Sequence, residues 1–215
     1  MKAIVVATVT GRCLPVFLAS IEAYVPTDVE VYIAGSDVKL RHHKTHNMPN
    51  TATNFGDIYN ELAAWAFQTH NSIVVANDDV VLDPNTWQQL KEDSEHLARF
   101  NSLGWISCRS DRVRPAQQAW RTDPATTFEV AVMSPLFACI SREAWQPFPP
   151  INWYSDDVNC VDLSQAGYRH FVSRGFVHHV GSSTIGQDNA ANAAAAEPWI
   201  REHRPELHAE WFGSR

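Results

Sequence analysis

The run Ser72–Leu82, SIVVANDDVVL, constrains the fold most: buried-strand character stops at Asn77, Asp78 and Asp79, then turns apolar again. A continuous apolar run of this length reads as a central strand of a sheet covered on both faces. Ligands of open α/β sheets gather at the carboxyl ends of such strands, so two carboxylates stand where a ligand would sit. Hard divalent cations take oxygen ligands, usually one or two carboxylates with substrate phosphates completing the shell. The strand end therefore points to a metal held against a phosphorylated substrate, and to nucleotide chemistry. The competing reading of Asp78 and Asp79 is a solvated turn or a helix cap. Asp83-Pro84 is a good helix start, and Asp83 is expected to be a cap.

The flanking chain alternates strand and helix patterns. Ala3–Val9 reads as a strand, Pro15–Tyr24 as an amphipathic helix and Val29–Ala34 as a second strand. Lys39–Thr53 is polar and rich in His, so it is expected to be a loop, and Asn54 opens a helix through Phe67 with Ile58, Leu62, Trp65 and Ala66 on one face. Helix is expected over Pro84–Phe100 and strand over Leu103–Cys108. A polar stretch, Arg109–Pro124, carries Arg109, Arg112, Arg114 and Arg121. Glu129–Ile140 is strand-like but interrupted by Pro135. A short helix near Ser141–Trp145, an acidic helix from about Ser155, a strand over Arg169–His178 and a helical Trp199–Phe212 complete the chain. This pattern predicts an α/β fold: a mixed, mainly parallel, Rossmann-like sheet flanked by helices. Residues 1–184 are expected to form one domain, with 185–215 a C-terminal loop and helical segment packing on it.

At 215 residues with 45% apolar and 19% charged content, the chain is globular and large enough for a real core. A formal charge of −7 and a pI near 5.8 give no strong nucleic-acid signature. No run reaches transmembrane length. MKAIVVATVTGR is short in its apolar part, interrupted by Arg12 and without a small-residue cleavage site, so it reads as the first strand and not as a leader. Cys13, Cys108, Cys139 and Cys160 are scattered, with no CxxC pair, which suits reduced thiols and a cytoplasmic location. Eight tryptophans are many for this length, and some are candidates to line an acceptor groove, most being core or rim.

In this order the pieces resemble a family 2 glycosyltransferase with the GT-A fold, from residue 3 to about 184. VATVTGR resembles the family's first strand and turn, which implies nucleotide contacts for Thr8, Thr10 and Arg12. NFGDIYNELA resembles the family's Asn-x-Gly segment, which implies that Asn54 and Gly56 lie beside the nucleotide and that Asn60 supports it. NDDV resembles the DxD-type motif: Asp79 falls on the metal ligand, Asp78 on a nucleotide-sugar contact, and Asn77 on the first position, where Asp is common. An amide there still bonds a sugar hydroxyl but carries less charge. The family's base-binding Asp before Gly-Ser is missing from IAGSD, so Asp37 either substitutes from a shifted position or is a turn residue.

INWYSDDVNCVDLSQAGYRHF resembles the segment in which an aromatic precedes an acidic pair at a helix start. The resemblance implies Asp157 as general base with Asp156 beside it, and Trp153 as a stacking residue for acceptor or donor sugar, a core Trp being the alternative. FVHHVGSST resembles the family's strand-end histidine before Gly and Ser. Spacing to Gly181 and Ser182 favours His178 as second metal ligand, with His179 the alternative, because successive strand residues face opposite sides. The implied function is metal-dependent transfer of a sugar from a nucleoside diphosphate sugar, a UDP-sugar by expectation, to an acceptor hydroxyl with inversion, using Mn2+ or Mg2+. The acceptor stays open among glycan, small molecule and modified nucleobase. The rivals are a nucleotidyltransferase, for which TVTGRCLP is a poor phosphate loop, and a non-catalytic nucleotide-sugar-binding protein of the same fold. Arg109, Arg112 and Arg114 are either a solvated loop or a clamp for an anionic acceptor or the diphosphate, and 181–197 is a candidate lid.

Overall fold

The computed structural model describes residues 1–100, 102–180 and 188–213. Its sheet is built from β1 (Ala3–Ala7), β2 (Glu30–Ala34), β3 (Thr45–Met48), β4 (Ser72–Asn77), β5 (Val80–Leu82), β6 (Leu103–Ser110), β7 (Phe128–Val130), β8 (Phe137–Ser141) and β9 (Arg169–His179). The strand order is β3-β2-β1-β4-β8-β6-β9-β5, with β7 also paired to β9. Strands β3, β2, β1, β4, β6 and β9 run one way, and β8, β5 and β7 run against them, so the sheet is mixed and mainly parallel.

Alternation along the strands divides the core in two. Ile4, Val6, Val74 and Ala76 face α1 (Leu14–Tyr24) and α3 (Thr86–Leu97), packing on Phe17, Ile21, Trp87 and Leu90. Val5, Tyr32, Val75 and Trp105 face α2 (Phe55–Ala66) and α4 (Ser155–Gln165), packing on Ile58, Leu62, Cys160 and Leu163. Each such fully buried aliphatic or aromatic side chain contributes about 1.5–3 kcal/mol. The last helices, α5 (Asn189–His203) and α6 (Pro205–Phe212), lie over α4 through Ile151, Val158, Ala193, Ile200 and Phe212. No helix among the described residues is long and apolar enough to cross a membrane. All four cysteines are free.

Several local expectations are corrected. The Ser72–Leu82 run is two strands: β4 sits between β1 and β8, and after Asp78 and Asp79 the chain reverses into β5, which pairs with β9 at the far end of the order. The expected loop Lys39–Thr53 contains β3, because its polar side chains find partners at the sheet edge: His46 meets Glu30 at 2.7 Å, and Asn47 donates to the Ser36 carbonyl at 2.7 Å. Glu129–Ile140 divides into β7 and β8 around Pro135, and Ser141–Trp145 is a turn, with the Ser141 hydroxyl accepting from the Ala144 N–H. Asp83 is not a cap: α3 starts at Thr86, and the Asp83 carboxylate pairs with Arg121 at 2.7 Å. The C-terminal helix expected at Trp199 begins ten residues earlier, at Asn189, where the Asp188 side chain accepts from Ala191, and it breaks at Arg204-Pro205.

Candidate active site

Asp78 and Asp79 follow β4 in a turn where both are 6% exposed. The Thr8 hydroxyl donates to Asp78 Oδ2 at 2.5 Å and accepts from the Gly11 N–H at 3.0 Å, locking the turn after β1 to the turn after β4. Burial pushes the Asp78 carboxyl up; the Thr8 hydroxyl pulls back and the Asp79 charge adds to the rise. Beneath them the Tyr59 hydroxyl donates to the Ala76 carbonyl at 2.7 Å, tying α2 to the end of β4.

The register of β5 on β9, Val80 opposite His179 and Val81 opposite His178, decides which histidine turns inward. His179 Nε2 lies 3.3 Å from Asp79 Oδ1, and its Nδ1 donates to the Arg112 carbonyl at 2.6 Å. His178 instead is half exposed and bonds Asp111. The histidine beside Asp79 is thus His179 and not His178; Gly181 and Ser182, which set the spacing argument, lie outside the described residues. Burial pulls the His179 imidazole down, but the Asp79 hydrogen bond and charge and the Arg112 carbonyl outweigh it, so its pKa lies above the ordinary value. A carbonyl on Nδ1 is the outer-shell arrangement that aims Nε2 at a metal. One carboxylate and one imidazole suit a divalent ion whose other positions are taken by diphosphate and water. Among the described residues no group of three or more His, Cys, Asp or Glu stands together as a metal-holding cluster.

At the carboxyl ends of β1 and β2 lies an open cleft of about 740 Å³ lined by Thr8, Gly35, Asp37, Asn47 and Asn50. Gly35, at φ +87°, passes so near Thr8 that a Cβ would stand 2.1 Å from its carbonyl oxygen. Asp37 is exposed on this cleft's wall, and Thr10 and Arg12 are exposed on the turn beyond it. Asn77 ends β4, half-buried, opposite Ala7.

The second half of the site is the start of α4. Arg114, expected either in a solvated loop or as a clamp for an anion, is turned onto the protein's own acids: its Nη1 meets Asp157 Oδ1 at 2.9 Å and its Nη2 meets Asp156 Oδ2 at 3.0 Å, while Nε donates to the Ser134 hydroxyl at 3.0 Å. Burial and the Asp157 charge hold the Asp156 carboxyl above its ordinary range, with Arg114 opposing both. Arg109 is likewise buried, donating to the Arg174, Asp123 and Pro124 carbonyls. The short loop after β6 joins both halves: Asp111 accepts from the His179 N–H, the Arg112 carbonyl holds the His179 ring, and Arg114 holds Asp157. Two residues of chain span at most about 7 Å, which bounds the step from the Arg112 carbonyl to Arg114.

Of Asn54 and Gly56, expected beside a nucleotide, Asn54 caps α2 and Gly56 meets the segment leading to α4. The Asn54 side chain accepts from the Asp57 N–H at 2.8 Å and donates to its carboxylate at 2.7 Å, a reciprocal helix cap. A Cβ on Gly56 would lie 1.8 Å from the Pro149 carbonyl oxygen, so glycine is needed for close approach of the 148–152 strap. Asn60 exchanges two hydrogen bonds with the Phe148 backbone, and Asn152 accepts from the Phe55 N–H. Trp153 is half-buried in the cluster under α5 and α6.

No protein-family model matches the chain, and no curated protein matches it in sequence. Solved structures do. The chain superposes on S. aureus TarS 1–349 in complex with UDP-GlcNAc at TM-score 0.64 and 12% identity, over 94% of this chain and 66% of that one. It superposes on GalNAc-T7 with UDP, GalNAc and Mn2+ at TM-score 0.65 and 10% identity, over 100% of this chain and 56% of that one. The fold is GT-A. A197 from STIV superposes at TM-score 0.51 and 15% identity, covering 85% of this chain and 87% of that one. The chain thus spans 56–66% of the length of TarS 1–349 and GalNAc-T7, and most of A197.

Proposed function

We propose that the chain is a glycosyltransferase that moves a sugar from a nucleoside diphosphate sugar, a UDP-sugar, to an acceptor hydroxyl with inversion. The observation that carries this reading is the loop after β6, which fixes His179 at Asp79 on one side and Asp157 under Arg114 on the other. A carboxylate-imidazole corner and an acid tied to the same loop are the parts that displacement of a diphosphate needs. Thr8, Asp37 and the cleft at the ends of β1 and β2 take the nucleoside, with Thr10 and Arg12 at its mouth. Asp78, pinned by Thr8, and Asn77 face ribose and sugar, while Asn54 acts as the cap of α2 and Gly56 through the docking of the 148–152 strap. TarS and GalNAc-T7 bound to UDP species support UDP as the nucleotide.

Asp79 and His179 would hold Mn2+ or Mg2+, which when bound supplies charge neutralisation at the departing diphosphate. Asp157 accepts the proton of the acceptor hydroxyl as that oxygen attacks the anomeric carbon from the face opposite the diphosphate. The Arg114 fork orients Asp157 for this. Asp156 beside it is held above its ordinary range by burial and the Asp157 charge. The test is calorimetric titration of UDP, GDP and dTDP with Mn2+, repeated with EDTA and with Asp79→Ala. Metal-dependent binding of UDP that disappears in the variant supports the donor half. Donor turnover lost in Asp157→Asn with UDP binding intact supports the base, and ordinary turnover in that variant would sink it.

A further inference from the structure

Of the eight tryptophans in the chain, Trp120 alone stands open, 66% exposed, and the others are buried or half-buried in the hydrophobic clusters. Its mount is nevertheless fixed from both sides. The Ala119 N–H donates to the Ser110 carbonyl at 2.9 Å, and Gln118 Nε2 donates to the Asp111 carbonyl at 2.8 Å. The Trp120 N–H donates to Asp123 Oδ2 at 2.6 Å, Arg121 pairs with Asp83 at 2.7 Å, and buried Arg109 holds the Asp123 carbonyl at 3.0 Å. A large ring held in water on a rigid backbone offers contact area at little cost in ordering on binding.

The anchors place it beside the chemistry. Asp111 is the residue that takes His178 and the His179 N–H, and Asp83 follows the strand that starts next to Asp79. The charged groups nearest the ring in the chain and its anchors balance: Asp83 is paired with Arg121, Asp123 stands beside Arg109, and the chain as a whole carries a formal charge of −7. A phosphodiester or sulfated ligand would find no excess of positive charge there, whereas the apolar face of a sugar ring stacks on indole and its hydroxyls donate to carboxylates.

We propose that Trp120 is the acceptor platform, stacking on a ring of a neutral carbohydrate acceptor. This rests on the glycosyltransferase reading; Trp153, tied down under α5 and α6, leaves the role to Trp120. The full chain, with UDP and Mn2+ present, is applied to an array of neutral oligosaccharides, sulfated or phosphorylated oligosaccharides and single-stranded oligodeoxynucleotides, alongside Trp120→Ala and Trp120→Phe. The expected result is retention on neutral glycans, weakened about tenfold in Trp120→Ala and less than about threefold in Trp120→Phe, since stacking beyond simple burial is worth about 0.5–1.5 kcal/mol. UDP affinity by calorimetry is expected to be equal in all three chains. Equal glycan binding in Trp120→Ala, preference for the anionic probes, or no retention of any glycan by the unaltered chain would overturn the platform. Glycan binding through Trp120 without any UDP binding would keep the platform and overturn the donor reading instead.

Discussion

Replacing Arg114 with methionine keeps most of the side-chain stem but removes the guanidinium facing Asp156 and Asp157. Three charged contacts are lost, at 2.9, 3.0 and 3.2 Å, and the groups involved are about a fifth exposed. Exposed pairs are worth about 0–1 kcal/mol, and breaking a buried one costs about 3–5 kcal/mol. This partly covered fork belongs between them, at about 3 kcal/mol near pH 8.

The loss should depend on pH with a definite sign. Burial and Asp157 already hold the Asp156 carboxyl above its ordinary range, with Arg114 opposing. Without Arg114 it rises further, so the folded variant binds more protons than the unfolded chain from about pH 4 up to the raised value. Stability of the variant is therefore greatest at low pH and is lost as pH climbs through the folded pKa. Urea unfolding near pH 5, 6.5 and 8 reads this directly: the unaltered chain shares the raised Asp156 carboxyl, so the gap between the two proteins should open at the upper end of this range. Adding Asp156→Asn to Arg114→Met should recover most of the loss near pH 8, because an amide needs no counter-charge. A gap that is the same at every pH, or under about 1 kcal/mol near pH 8, would show that the carboxylates are hydrated and the fork is a surface pair.

Other outcomes follow from single contacts. His179→Ala should abolish Mn2+-dependent UDP binding in calorimetry, whereas His178→Ala should leave it within about threefold, and the reverse pattern would contradict the register of β5 on β9. Gly56→Ala drives a methyl into the Pro149 carbonyl and should lower stability by about 1–3 kcal/mol or more in urea, with loss of turnover as the strap before α4 shifts. On β2, beside the edge strand, burial raises the Glu30 carboxyl, but Lys44 and His46 outweigh it and lower its pKa to about 2 from 4.5. That stability is present above about pH 4.5 and lost as pH falls toward about 2, so Glu30→Gln should flatten the acid limb of a pH titration followed by circular dichroism.

Much of the fold was legible because its signals are local. Apolar runs such as Ala3–Ala7 and Ser72–Asn77 are buried on both faces and read as strands, and the Asn54 cap marked the start of α2 within one residue. The carboxylates Asp78, Asp79, Asp156 and Asp157 were also visible, since acids after an apolar strand or at a helix start carry a pattern. What failed was whatever depends on a partner across the fold. β3 is polar and half-buried along its length, and is a strand only because β2 lies beside it. His178 and His179 are adjacent and chemically alike, and only the strand opposite them decides which faces Asp79. Arg114 sits in a polar stretch with other arginines, and nothing nearby in sequence distinguishes a solvated cation from one that grips two carboxylates.

The start of α4 shows how far such dependence reaches. Tyr154, immediately before the helix, is the only non-glycine residue with positive φ among the described residues, at 63°. That conformation costs about 1–3 kcal/mol and persists only where the surroundings over-determine it. Here they do: Trp211 stacks on the Tyr154 ring at 5.1 Å, Phe212 meets its edge at 5.7 Å, and Ser155 bonds the Pro149 carbonyl at 3.1 Å. The strap held by Gly56 and Asn60 fixes one side of the turn and α6 fixes the other, so the acid pair is aimed at Arg114 from both directions. Trp211→Ala should then do two things together: release the strain at Tyr154 and misalign Asp157. In that case turnover falls more than stability does, a split that a purely structural tryptophan would not give.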